Sequence, residues 1–139
     1  MNEPRAEWRA VRVGLAVATV VVAAQLIVGG GYALVHDDPT AHDRAFACLT
    51  REKSLAVETG IRDPIAESAA AGALRTRVEG NGVTASFSAS EGAAERLREL
   101  YESVAELPEG ALERRGRVVL VWEGSASPTQ RQTMYDCVG

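Results

Sequence analysis

Residues 74–88 read LRTRVEGNGVTASFS, and this stretch decides the fold class. Leu74, Thr76 and Val78 alternate with Arg75, Arg77 and Glu79; after Gly80-Asn81-Gly82, Val83, Ala85 and Phe87 alternate with Thr84, Ser86 and Ser88. Period-two patterning on both sides of a Gly/Asn cluster is the mark of a β-hairpin. Placing the turn at Gly80-Asn81 or at Asn81-Gly82 moves the register by two residues, which leaves every side chain on the same face. Leu74, Thr76, Val78, Val83, Ala85 and Phe87 are therefore expected to point into a core.

Downstream, residues 90–107 place Ala93, Leu97, Leu100, Tyr101, Val104 and Leu107 at helical spacing with Glu and Arg opposite them, so an amphipathic helix should follow the hairpin. Ser88 and Glu91 supply a capping box for it. Pro108-Glu109-Gly110 ends the helix, and residues 117–123, RVVLVWE, have the β-branched and aromatic content of a central strand covered in part on both faces. A last helix opens at Ser127, with Pro128 at its first position and Gln130 completing a capping box. Upstream, residues 40–53 form a helix capped by Thr40 and Asp43, with Ala45, Phe46, Cys48 and Leu49 as its apolar stripe. Leu55, Val57 and Thr59 then alternate as a short strand, and Asp63-Pro64 opens a brief helical stretch closed by Gly72.

The order α-β-(short α)-β-β-α-β-α predicts an α+β domain: a small antiparallel sheet of about four strands with helices packed on one face. A true crossover helix after Asp63 would make the centre a ferredoxin-like split βαβ unit; a mere loop there would make the first three strands a meander.

Before this domain, residues 13–35 read VGLAVATVVVAAQLIVGGGYALV. At about 1.5 Å per residue the run reaches about 34 Å, enough to cross a hydrocarbon core of about 30 Å. Arg5, Arg9 and Arg12 precede it and His36, Asp37 and Asp38 follow it, so the positive-inside bias puts the N-terminus in the cytoplasm. The expected organisation is a cytoplasmic tail over 1–10, a transmembrane helix over 11–35, a juxtamembrane linker over 36–41 and an extracytoplasmic domain over 42–139. Trp8 and Tyr32 sit near the ends of the span, at headgroup level. A cleavable signal peptide is the rival, with Gly31 and Ala33 spaced for cleavage after Ala33, but its apolar region would exceed the usual length. Within the span, Gly14, Ala18, Gln25 and Gly29 share one helical face, where small residues and a mid-membrane amide suit self-association into a homodimer.

The cysteines agree with export. Cys48 and Cys137 lie in the first and last helices of the domain, and a thiol pair outside the cell is expected to close as a structural disulfide. A redox or nucleophilic thiol would want a C-x-x-C pair or a partnering His, and neither is present.

Composition bounds the rest. Of a formal charge of −4, the tail carries +1 through three arginines and two glutamates, leaving −5 on the remainder. An acidic domain without a basic stripe is a poor partner for nucleic acid. Lys53 is the only lysine in an Ala-, Val-, Gly- and Arg-rich chain, a bias that points to a bacterial source. His36 and His42 lie amid Asp37, Asp38 and Asp43, but in a spacing better suited to a solvated linker and a helix N-terminus than to a metal. No serine sits in a nucleophile elbow. No cofactor, metal or catalytic set is expected.

Two surfaces are candidates for binding. The sheet face away from the helices should present Arg75, Arg77, Thr84, Ser86, Val119 and Val121, beside strand edges that an extended peptide could join. Arg114, Arg115 and Arg117 form a cationic cluster that could meet anionic headgroups or an acidic partner. The chain thus reads as a membrane-anchored interaction module partnered by the bilayer and by another protein; the alternatives are an extracytoplasmic hydrolase and, if Ala33 precedes a cleavage site, a secreted factor.

Overall fold

The computed structural model describes residues 38–139; the tail expected over 1–10, the transmembrane helix expected over 11–35 and the four residues proposed for self-association lie outside the described residues. Residues Pro39–Gly139 form one compact unit. Among the described residues no helix is long and apolar enough to cross a membrane.

Five strands, β1 (Val57–Glu58), β2 (Ala73–Val78), β3 (Asn81–Phe87), β4 (Leu112–Arg115) and β5 (Val118–Trp122), form one sheet in the order β1-β2-β3-β5-β4. Every neighbouring pair is antiparallel. A ferredoxin-like split unit inserts a third strand between the two that its crossover helix joins, whereas β1 pairs directly and antiparallel with β2, so the crossover alternative is wrong. The helix after Asp63 is α2 (Pro64–Glu67), four residues capped by the Asp63 carboxylate, too short to carry a crossover. The first three strands are a meander.

The hairpin is as expected in parity but not in turn. Val78 pairs with Asn81, so the turn is Glu79-Gly80, both with positive φ (49° and 84°), the pattern of a type I′ turn. Asn81 is drawn elsewhere: its Oδ1 accepts from Gly124 N at 3.2 Å, and its Nδ2 faces Gly124 O and Gln130 Oε1 at 3.4 Å. Tying the loop that follows β5 to the sheet outweighs the local turn preference of an Asn-Gly pair. The register moves by two residues and the faces stay as predicted.

The fifth strand is β4, within the segment taken for a cationic loop. Arg115 pairs with Val118 across Gly116-Arg117, with Gly116 at φ 54°, the glycine-first pattern of a type II′ turn. Charged side chains at a sheet border blunt an edge strand against further pairing, and they hide it from a hydrophobicity pattern.

Three longer helices flank the sheet: α1 (Ala41–Ala47), continued by a π-helical segment Cys48–Glu52, α3 (Glu91–Val104) and α4 (Pro128–Val138). Capping boxes at Thr40/Asp43 and Ser127/Gln130 start α1 and α4 as predicted. The cap of α3 is Ser90, whose side chain accepts from Ala93 N, and not Ser88, which is 8% exposed. The Thr50 hydroxyl donates to Phe46 O at 2.7 Å; this is the carbonyl that Thr50 N–H would use in an α-helix, a competition that loosens the turn where the π segment lies.

Helices cover both faces of the sheet, which corrects the one-face expectation. On one side, Ala45, Leu49, Met134 and Cys137 of α1, its π extension and α4 pack on Leu74, Val78, Val83, Ala85, Phe87, Val118, Leu120 and Trp122. Phe46, assigned to that stripe, is 38% exposed. On the other side, Ala94, Leu97 and Tyr101 of α3 close over Val119, with Ile65, Leu112 and Val121 around them. Cys48 and Cys137 are disulfide-bonded, Cα–Cα 5.4 Å, across a separation of 89 residues. The bond joins the two helices of the first face and with them both ends of the domain.

Candidate functional site

Of the face expected to be open, only its β2 margin reaches solvent freely. Thr84 (8% exposed), Ser86 (0%) and Val119 (0%) are buried and Val121 is half-buried, because α3 lies across β5 and β4 and the short α2 lies against β3. Their small side chains let a helix approach closely. Beneath it, the Tyr101 hydroxyl donates to Asp63 Oδ2 at 2.7 Å, while Asp63 Oδ1 accepts from Ile65 N and Ala66 N. Burial, and next this bond to a carboxylate, push the Tyr101 phenol well above its usual range. Ser86 lies beside it and its buried hydroxyl makes no hydrogen bond of normal geometry.

At the open margin, Arg75 and Arg77 both reach the Glu123 carboxylate, and Arg77 also donates to Gly80 O at 3.1 Å. Glu123 lies over Gly82, where an added Cβ would come 2.3 Å from the carboxylate carbon; glycine leaves the room this ion pair needs. Next to it is a recess of about 220 Å³ lined by Ala56, Glu58, Arg75, Thr76 and Arg77. Glu123 takes both guanidinium groups and Glu58 lines the same recess, so two formal positive charges stand beside two negative ones.

The cationic cluster divides likewise. Arg114 binds Glu95 at 2.8 Å across to α3, and the Arg115 guanidinium stacks 3.9 Å from the Tyr135 ring centroid. Arg117 is exposed in the β4–β5 turn.

A denser polar cluster, absent from the sequence reading, sits under α4. Glu113, its side chain 15% exposed, accepts from Trp122 Nε1 (2.6 Å), Arg131 Nη1 (2.8 Å) and the Tyr135 hydroxyl. Burial, then the Glu113 bond, raise the Tyr135 pKa. Both carboxylate oxygens are engaged, so the group fastens α4 to β4; a satisfied network of this kind specifies packing. His42 packs edge-to-face on Phe87 (5.6 Å), with Nε2 3.4 Å from Ala73 O. Gly72, at φ +92°, passes so close that a Cβ would stand 3.1 Å from the imidazole. Among the described residues no cluster of three or more His, Cys, Asp or Glu could hold a metal ion.

The surface that sequence reasoning missed is the outer flank of α3. Leu100 is 42% and Val104 64% exposed, although both belong to the stripe expected inside. Ala94, not Ala93, makes the contact with the sheet, which rotates the buried arc and leaves Leu100 and Val104 at its margin. Beside Leu100, between α3 and the loops around residues 68–70 and 88–89, lies a recess of about 230 Å³. Comparison of the chain with protein-family models, with curated proteins and with solved structures finds no match.

Proposed function

We propose that the chain is a membrane-anchored, non-enzymatic interaction module: residues 1–10 in the cytoplasm, 11–35 across the bilayer, and the α+β domain presented at the outer side of the cytoplasmic membrane. The observation that carries this reading is the Cys48–Cys137 bond, since structural disulfides persist in oxidising compartments and are rare in reducing ones. The basic residues before the hydrophobic run and the acidic ones after it support the same orientation. Small domains with modest cores gain most from such a cross-link. An exposed apolar flank on an otherwise charged helix supports a role in recognition. Pairing of two chains through Gly14, Ala18, Gln25 and Gly29 belongs to the same proposal.

Protease added to spheroplasts of cells making the chain with a C-terminal tag tests the topology. The tag is digested, the thiols at 48 and 137 resist alkylation until reduced, and the intact mass stays at 14.8 kDa plus the tag. A protected tag, or free thiols, overturns the reading; a mass shortened to the residue after Ala33 replaces the anchor with a secreted form. A membrane reporter of helix association that signals equally for the native span and for Gln25→Leu with Gly14→Leu removes the dimer.

A further inference from the structure

We propose that the outer flank of α3 is a docking groove for an amphipathic helix of a partner protein, which seats a bulky apolar side chain beside Leu100 and an acidic one on Arg96. This deepens the interaction-module reading and rests on it. Ala93, Arg96, Leu100 and Val104 recur at helical spacing on one stripe, and two of them are large apolar groups left 42% and 64% exposed. Alongside the stripe the recess of about 230 Å³ is lined by four alanines, Leu97 and Leu100, together with Ser68, Ser88 and Arg96. That is room for a large side chain against mostly apolar walls. From Ala93 to Val104 the stripe runs about 16 Å, three turns of a partner helix.

Charge selects the partner's sign. Arg98 is held by Glu95 and Glu102, and Arg114 by Glu95. Among the described residues Arg96 makes no ion pair and no hydrogen bond, although it is the cation on the rim. An acidic side chain placed over it completes the only guanidinium of α3 that the helix leaves uncompensated. The sheet edges argue against an extended peptide instead: β1 pairs through two residues only and β4 is lined with charge.

A displayed library of helical peptides with a constant leucine face and randomised flanks, selected on the full chain in nanodiscs of zwitterionic lipid, tests this. Enriched peptides carry acidic residues at the flank that meets Arg96. They bind the Arg96→Glu protein about fivefold more weakly, the upper end for an exposed ion pair, and a basic-flanked counterpart prefers that variant. Leu100→Ser with Val104→Ser, both at exposed positions, weakens binding about tenfold, the loss expected of an apolar anchor. An enriched pool without acidic bias, binding indifferent to both variants, or capture by protein-free nanodiscs overturns the proposal. So does a dimer in the absence of peptide that Leu100→Glu disperses, because a second copy then occupies the face. A protected tag in spheroplasts, with peptide binding intact, would instead sink the topology and leave the groove standing.

Discussion

Replacing Ser86 by alanine should make this protein more stable. Ser86 is fully buried beside Tyr101, and its hydroxyl makes no hydrogen bond of normal geometry. A buried hydroxyl stripped of water and left unpaired costs about 1–3 kcal/mol. Alanine removes that cost and vacates only the space of one oxygen, so the cavity penalty, at about 24 cal/mol per Å³, stays small. The net expectation is a gain of about 1–2 kcal/mol. With a urea m-value of about 1–2 kcal/mol/M for a domain of this size, the denaturation midpoint of Ser86→Ala rises by about 1 M at unchanged slope. Thermal unfolding followed through the buried Trp122 should shift up by about 5–10 °C. The alternative partner is the neighbouring Tyr101 oxygen, which would accept from Ser86 while its own proton goes to Asp63. If that bond is made in solution, Ser86→Ala lowers the midpoint and its effect is lost in a Tyr101→Phe background. A lowered midpoint refutes the reasoning.

Glu79 adopts φ 49° at the first position of the hairpin turn, where an L-residue with a bulky side chain is strained. Glu79→Asn supplies the Asn-Gly pair that type I′ turns favour and should stabilise by about 0.5–1 kcal/mol in urea titration. Closing a loop of 89 residues limits the unfolded chain by about 4–5 kcal/mol in the entropy model, so Cys48→Ala with Cys137→Ala should lose several kcal/mol, less any relaxation of the native state. A loss below about 1 kcal/mol would show that the bond constrains little. For pH, Tyr101 and Tyr135 have pKa values raised above 10.0 in the fold. Their contribution is therefore complete below pH 10 and is lost as pH rises beyond it, when the unfolded chain ionises and the folded one does not. Tyr101→Phe should flatten that alkaline decline. Asp43 and Asp136, lowered beneath 3.8 by hydrogen bonds to Thr40 and Lys53, act at the other end: their contribution is present above 3.8 and disappears as pH falls through the lower folded values.

Local pattern was enough for much of this domain. The hairpin faces, the caps at Thr40 and Ser127, the central strand at Val118–Trp122 and the pairing of Cys48 with Cys137 follow from periodicity, capping chemistry and cysteine count. These features depend on residues close in the chain or, for the thiols, on there being a single pair. Strict two-residue alternation explains why misplacing the turn by one position on each strand cost nothing in the assignment of faces.

What tertiary structure decided was coverage. Alternation divides β3 and β5 into two faces but says nothing of whether a second layer lies on either, and Thr84, Ser86 and Val119 read equally well as solvent-facing or as small groups beneath a helix. The packing of α3 through Ala94, Leu97 and Tyr101 buried that face, exposed Leu100 and Val104, and so moved the candidate surface from the sheet to the helix. The physical reason is that burial depends on which element approaches from far away in the chain, whereas helical and β periodicity record only that one side of an element differs from the other.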